Sequence, residues 1–154
     1  MESFSDIWPI SDVPSDDISI YEGPDVFLSE FAAASHAHQT VFAAFWLQGE
    51  ILNGGLQQFF SNDAGVLAPE AVLALRTLGL PRLAQKCEEA MTWFGDSYPR
   101  DRESREAALS SHAEANPGMD SPFEALDEET VALIYDESPG LEQAALDFVK
   151  AHGS

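Results

Sequence analysis

The sequence predicts an all-α protein, a single compact multi-helix domain preceded by an extended acidic arm. Apolar residues recur at spacings of three and four along most of the chain, which is the period of an amphipathic helix. Clusters of Gly, Pro and Asn separate these periodic stretches, as expected for connections between helices. No alternating strand pattern longer than 17–21 is found. The 154 residues are 45% hydrophobic, which is enough to build one substantial core.

The first 24 residues are predicted to form an arm rather than a helix. They contain three prolines together with Ser and acidic residues, a composition that resists regular structure. Apolar side chains in the same stretch, among them Trp8 and Ile18 to Tyr21, indicate that the arm lies against the core. The Gly23-Pro24 step favours the start of a helix, because the fixed φ of proline suits the first helical position. We therefore divide the chain into an arm, 1–24, and a helical domain, 25–154.

The first half of the domain is predicted to contain a long helical stretch and a short helix, with a glycine turn between them. The apolar spacing over 26–51 indicates one helix, or two helices with a break near Ser35. The Asn53-Gly54-Gly55 step is expected to end this stretch in an interior turn, because left-handed backbone angles cost Gly little. A short helix then carries Leu56, Phe59 and Phe60, and 62–65 turns the chain again.

The second half of the domain is predicted to contain five further helices. They cover 69–78, 83–94, 105–112, a stretch capped by Asp120 or Ser121 that runs to Tyr135, and a last helix from Leu141. For the penultimate helix the sequence leaves two alternatives, a continuous helix or a break near Asp127. The core is predicted to be built on seven large side chains: Phe42, Phe45, Trp46, Phe59, Phe60, Leu75 and Leu78.

The charge of the chain is organised in blocks. There are 27 acidic and 7 basic residues, for a formal net charge of -20. The first Lys or Arg is Arg76, and Lys150 alone follows Arg105, so two acidic blocks flank a near-neutral one. A charge of this size exceeds what solubility requires. Such a field repels nucleic acid and anionic membranes, and it attracts basic proteins at rates that fall as salt rises.

Sequence motifs for catalysis or cofactor binding are not found. The chain has neither a glycine-rich phosphate loop nor a Gly-x-Ser-x-Gly elbow. His36 and His38 point to opposite sides of a helix, so we expect two surface histidines and not a metal pair. Cys87 falls on an apolar stripe, which predicts a buried thiol rather than a nucleophile. We therefore predict a protein that is not an enzyme and that uses no metal and no cofactor.

The most specific motif runs from Glu50 to Gly65, as Glu-Ile-Leu-Asn-Gly-Gly-Leu-Gln-Gln-Phe-Phe-Ser-Asn-Asp-Ala-Gly. It resembles the signature of the bacterial DNA-mimic protein family, Glu-Val-x-Asn-Gly-Gly-Phe-x-Gln-Tyr-Phe-x-Asn followed by Gly. Leu52 and Leu56 depart from that pattern. The resemblance extends over roughly residues 25–150 and includes Arg105 and the Leu126-Asp127 step. The matching positions are Glu50, Asn53, Gly54, Gly55, Gln58, Phe60, Asn62, Gly65 and Gly79.

The resemblance implies an all-α dimer that binds a transcriptional regulator in place of DNA, with structural roles for the motif residues. The charge points the same way, because 20 excess charges match about 34 Å of DNA, or about 10 base pairs. We expect a cytoplasmic homodimer whose partner is a basic DNA-binding protein, with no direct binding of nucleic acid or membrane. The predicted contact residues are Asp12, Asp16, Asp17, Glu22, Asp25, Glu30, Asp127, Glu128, Glu129, Asp136 and Glu137.

Two other functions stay open from the sequence. The first is a shape-specific interaction or immunity-type protein whose acidity serves solubility alone. The second is an enzyme with an unrecognised carboxylate site, since single catalytic carboxylates cannot be picked out among 27 acidic residues.

Overall fold

The computed structural model of the protein describes residues 18–119, 121–138 and 140–152. Within these ranges the chain forms seven α-helices and one short 3₁₀ helix, with no strand, which confirms the predicted all-α class. The helices are α1 (Pro24–Ala33), α2 (His36–Ser61), the 3₁₀ helix (Asp63–Leu67), α3 (Ala68–Thr77), α4 (Pro81–Thr92), α5 (Arg102–Ala115), α6 (Glu124–Asp136) and α7 (Leu141–His152).

Local sequence accounts for most helix starts. Pro24 opens α1, and α3 and α4 also carry a proline in their first turn, where its missing N–H costs nothing. Of the two alternatives that the sequence left open, the structure has the break near Ser35, because the Ser35 side chain accepts a hydrogen bond from the backbone N–H of His38 at 3.1 Å and caps α2. Asp101 caps α5 in the same way, through the N–H of Ser104 at 2.9 Å.

Helix α2 is the central element of the fold. It contacts α3, α5, α6, α7 and the 3₁₀ helix, while α4 packs between α3 and α6. Its backbone leaves the helical range at Gly54 (φ −154°) and Gly55 (φ 78°), within a single helical segment of 26 residues. The predicted interior turn is thus a kink in one helix, and the chain continues in helical form through Ser61. The kink divides α2 into two halves that other helices can contact separately.

The core lies around the second half of α2. Five of the seven predicted core residues are buried, and Phe45 and Trp46 are half-buried against the cluster. Phe60 is at the centre of a group of aromatic rings, with ring centroids 5.0 Å from Phe94 and 5.2 Å from Phe123. Edge-to-face and tilted aromatic contacts of this kind stabilise a core beyond the area they bury. The kink therefore lies next to the best-packed part of the molecule.

Three expectations need correction. His38 is completely buried and packs edge-to-face on Phe42 at 5.7 Å, because it lies on the inward side of α2. Helix α6 begins at Glu124, with Phe123 as its N-terminal flanking residue, instead of near Ser121. In the part of the arm that the structure describes, Ile18 and Ile20 are buried as expected, but Tyr21 is 67% exposed. Trp8 lies outside the described residues.

Among the helices of the described ranges, none combines the length and the apolar character that crossing a bilayer would require.

Candidate functional site

The motif from Glu50 to Gly65 forms a hydrogen-bonded unit across the kink of α2. The Glu50 carboxylate, before the kink, accepts hydrogen bonds from Gln58 Nε2 at 2.9 Å and from Asn62 Nδ2 at 3.0 Å, both after it. Asn53 Nδ2 donates to Gln58 Oε1 at 3.1 Å. Because these side chains join the two halves of α2, they hold the angle between them.

Arg105 closes the C-terminal end of α2. Its guanidinium is completely buried and donates to the carbonyl oxygens of Phe60 and Asn62, each at 2.9 Å. Further bonds reach the carbonyls of Pro99 and Arg100. Burial lowers the pKa of Arg105 from its ordinary value, yet the guanidinium stays the donor that these carbonyls need. The positive charge of Arg105 thus binds backbone carbonyls inside the protein and is not exposed at the surface.

Gly65 is the motif residue that lets Arg105 enter. A Cβ at this position would lie 2.6 Å from Arg105 Nε, closer than real Cβ atoms approach. The carbonyl of Gly65 also accepts a hydrogen bond from the Tyr98 hydroxyl at 2.6 Å. The glycine is therefore required by the approach of a side chain that is far away in sequence.

Asp127 on α6 caps the second half of α2. The backbone N–H of Leu56, just after the kink, donates to Asp127 Oδ1 at 2.8 Å. A Cβ on Gly55 would lie 3.0 Å from the carboxylate atoms of Asp127, so the glycine allows this approach. Burial raises the pKa of Asp127, the bond from Leu56 opposes that rise, and the charge of Glu124 adds to it.

Glu137 caps α4 at the other end of α6. Pro81 occupies the first turn of α4 and has no N–H, and the next two amides, of Arg82 and Leu83, donate to Glu137 Oε2 and Oε1 at 2.9 Å each. Glu137 is only 8% exposed. The carboxylate of Glu137 therefore faces a helix N-terminus inside the protein, and not the surface on which the predicted contact residues were expected.

The basic residues of the near-neutral block are mostly engaged in ion pairs within the chain. Arg100 makes two hydrogen bonds to the Glu70 carboxylate, at 2.8 and 2.9 Å. The remaining pairs are Arg76 with Glu88, Lys86 with Glu129 and Glu89, and Arg102 with Asp63 and Glu106. Most of these pairs are exposed and contribute little to stability. They nevertheless hold the cations close to particular carboxylates.

Other exposed carboxylates make no ion pair within the described ranges. They occur before and on α1, around α5 and on the outer side of α6. They include Glu22, Asp25, Asp96, Glu103, Glu114, Glu124, Glu128 and Asp136, together with Asp101 before α5 and Asp147 on α7. These residues give the surface uncompensated negative charge.

The predicted contact residues fall into three groups. Glu22, Asp25, Glu128 and Asp136 are exposed, and Glu129 is exposed but binds Lys86 at 2.6 Å. Glu30 is half-buried and accepts a hydrogen bond from the Ser19 N–H at 2.6 Å, and Asp127 and Glu137 face inward. Asp12, Asp16 and Asp17 lie outside the described residues.

Helix α1 contacts the 3₁₀ helix, whereas α6 packs on α2 and α4, so the two acidic segments rest on different neighbours.

The sequence carries a signal for the inward carboxylates. Asp127 and Glu137 lie on the same helical stripe as the buried residues Thr130 and Leu133, at spacings of three, three and four. A carboxylate on the buried stripe of an amphipathic helix requires donors from another element, and here those donors are backbone amides.

The thiol and the potential metal ligands are the groups that could support chemistry beyond binding. Cys87 is buried as predicted, and burial raises its pKa to about 12, which keeps the thiol protonated at neutral pH. Over the described residues, no three His, Cys, Asp or Glu side chains come together as a possible metal site.

An all-α fold around a kinked central helix, with a surface rich in unpaired carboxylates, defines a class of small acidic helical proteins. Within that class, this chain belongs to the DMP19-like protein family, whose model matches residues 32–152. The matched segment begins at the end of α1, so most of α1 and the arm precede it. No curated protein and no solved structure matches the chain.

Proposed function

We propose that this protein is a non-catalytic DNA mimic that binds a basic DNA-binding protein, such as a transcriptional regulator, in the cytoplasm. The observation that carries the proposal is the set of exposed carboxylates without an ion pair, in a chain of net charge -20. Membership of the DMP19-like family supports the same role. A basic protein surface is the ligand that such a field attracts.

The outer side of α6 is the best-defined part of the proposed binding surface. Glu124, Glu128 and Asp136 follow one another at intervals of four and eight residues, or about 6 and 12 Å along the helix. Phosphates of one DNA strand follow at about 3.4 Å along the axis, so one helix presents charge more sparsely than DNA. A second acidic segment, for which Glu22 and Asp25 are the candidates, has to contribute to the same footprint.

A homodimer is part of the proposal, since a two-fold pair would double the charged length that one chain offers. The interface has to be apolar, because burying carboxylates of two chains against each other is costly. Leu73, 63% exposed, and Leu52, 43% exposed, are apolar side chains available for such a contact. Light scattering at micromolar concentration should give twice the chain mass, and a single species of 16.8 kDa would contradict the dimer.

The function is tested by competition with DNA. The immobilised protein is exposed to a lysate of its source cell at about 50 mM salt, and bound proteins are released either with about 200 mM salt or with duplex DNA. We expect nucleic-acid-binding proteins in both eluates, and the operator of the captured regulator should compete best. A partner that binds this protein and its operator together, at an affinity indifferent to salt, would show that carboxylates do not replace phosphates.

Charge variants locate the surface. The variant Glu22→Gln, Asp25→Asn, Glu128→Gln, Asp136→Asn should weaken partner binding at least tenfold and reduce the salt slope by about three to four. Its matched control, Asp96→Asn, Glu103→Gln, Glu114→Gln, Asp147→Asn, removes the same number of exposed charges elsewhere. Equal losses from both variants would mean that the total charge, and not this surface, attracts the partner.

A further inference from the structure

We propose that Asp127 and Glu137 are positioning residues, which fix the rotation of α6 on the protein and thereby select the side chains that α6 presents outward. The inference rests on the proposed function for its biological consequence. It replaces the role of direct partner contact that the sequence suggested for these two carboxylates.

The geometry behind this inference is an attachment at each end of α6. Asp127, in the first turn, accepts the Leu56 amide of α2 at 2.8 Å, and Glu137, just after the last turn, accepts two amides of α4 at 2.9 Å. The two attachments are ten residues apart, or about 15 Å along the helix. Each carboxylate meets the amides at the start of a helical segment, where charge and unsatisfied donors both favour it.

Two attachments at opposite ends define the rotation of a helix. One anchor leaves α6 free to turn about the anchored residue, whereas two anchors on the same stripe do not. With Asp127 and Glu137 held inward, Glu128 and Asp136 are exposed and Tyr135 is 74% exposed. The same rotation buries Thr130 and Leu133 on the inward stripe and leaves the Tyr135 ring outside among these carboxylates.

Paired substitutions separate positioning from charge. Asn at position 127 keeps an oxygen that can accept the hydrogen bond from Leu56. Gln at position 137 keeps one of the two acceptor oxygens, so it can accept from Leu83 but not from Arg82 as well, whereas Ala removes every acceptor. In the full chain, Asp127→Ala should speed hydrogen exchange of the Leu56 amide by about tenfold or more, and Glu137→Ala should do so for Leu83. Exchange should stay within about threefold of the unchanged protein at Leu56 in Asp127→Asn and at Leu83 in Glu137→Gln, while the Arg82 amide should exchange faster in Glu137→Gln. Exchange along α6 should rise with the Ala variants alone.

Partner binding is then measured for the same variants with the regulator captured by DNA competition. For a positioning residue, Ala should weaken binding about tenfold while the Asn or Gln variant restores it, with the salt slope preserved. The matched control is Glu128, an exposed carboxylate on α6, for which Gln and Ala should weaken binding equally and lower the slope.

The possible failures are distinguishable. Unchanged exchange in Asp127→Ala and Glu137→Ala, or equal binding losses for the Asn or Gln and Ala variants, would overturn the positioning role. If exchange changes as expected but no DNA-competed partner is captured at all, the positioning role stands and the proposed function fails.

Discussion

The contact between Gly65 and Arg105 depends on the absence of a side chain at the glycine. The buried guanidinium of Arg105 has its Nε 2.6 Å from the position that a Cβ on Gly65 would occupy, and it donates hydrogen bonds to the carbonyls of Phe60 and Asn62. Buried charge is tolerated here because it is surrounded by acceptors. At the scale of single residues, the fold therefore depends on close approaches to backbone.

Replacing Gly65 by Ala should destabilise the protein by about 2–4 kcal/mol, because the buried guanidinium of Arg105 would have to move. The matched control is Gly49→Ala, also on a glycine, in the helical part of α2 with nothing within 4 Å of the added Cβ. That change should stabilise by about 0.5–1 kcal/mol, since Ala favours helix. Urea unfolding measures both, and a loss below about 0.5 kcal/mol at Gly65 would contradict the requirement for close approach.

Asp127 provides a pH prediction at the same scale. Its pKa in the folded protein is raised above the ordinary 3.8, chiefly by burial. The folded state then binds this proton more tightly than the unfolded state, so the contribution of Asp127 to stability rises as pH falls through the raised pKa. The gain in stability is complete once the pH lies below the ordinary pKa of 3.8.

The measurement is the difference in unfolding free energy between the unchanged protein and Asp127→Asn, which has no titrating group at this position. As the pH falls from about 7 to about 3.5, the difference should shift in favour of the unchanged protein. The other titrating groups are the same in both proteins, so their contributions cancel in the difference. A shift in the opposite direction would mean that the hydrogen bond from Leu56 outweighs burial.

Among the elements, the kink of α2 has the widest consequences. It frees the Leu56 amide, which α6 then caps, and it is bridged on its other side by Glu50 and Gln58. A straight helix would pair that amide within itself and leave Asp127 without a partner. The glycines are thus the local condition for docking α6.

Replacing Gly55 by Ala should therefore cost more than the same change at another glycine with positive φ. Gly79 is the matched control: its φ is 80° against 78° at Gly55, and a Cβ there meets nothing within 4 Å. We expect a loss of about 1 kcal/mol at Gly79 from backbone strain and about 2–4 kcal/mol at Gly55, where Asp127 is displaced as well. Equal losses in urea unfolding would show that the cap adds no stability.

At the scale of the whole molecule, self-repulsion opposes folding. Exposed ion pairs such as Arg76 with Glu88 involve few of the 27 carboxylates, so screening should relieve more repulsion than it weakens attraction. The same imbalance attracts a basic partner. Stability and binding therefore respond to salt in opposite directions.

The thermal unfolding midpoint should rise as NaCl increases from about 10 to about 200 mM, where the Debye length falls below about 10 Å. In the variant with four neutralised carboxylates, Glu22→Gln, Asp25→Asn, Glu128→Gln, Asp136→Asn, the rise should be smaller, because less repulsion remains to be screened. Differential scanning calorimetry checks both, and a midpoint that falls with salt would show that the ion pairs dominate.

Much of this architecture was predictable because it is local. Helical spacing predicted the helices, the Gly23-Pro24 step predicted the start of α1, and the Asn53-Gly54-Gly55 step predicted an interruption. A break near Ser35 was one of two alternatives that the spacing allowed. The buried position of Cys87 followed from its stripe. His38 was misplaced because the helical spacing left open which side of α2 other helices cover, and the neighbours that cover it are distant in the chain.

By itself, the sequence determined the all-α class, the order of the helices, the glycine interruption and the excess of negative charge. Only the tertiary structure decided which carboxylates that charge leaves outside. The helical stripe of α6 indicates that Asp127 and Glu137 lie on its inward side, but only the fold shows the amides, 71 and 54 residues away, that bind them. The physical reason is that a carboxylate can be buried only where donors compensate its lost hydration, and the donors come from other helices.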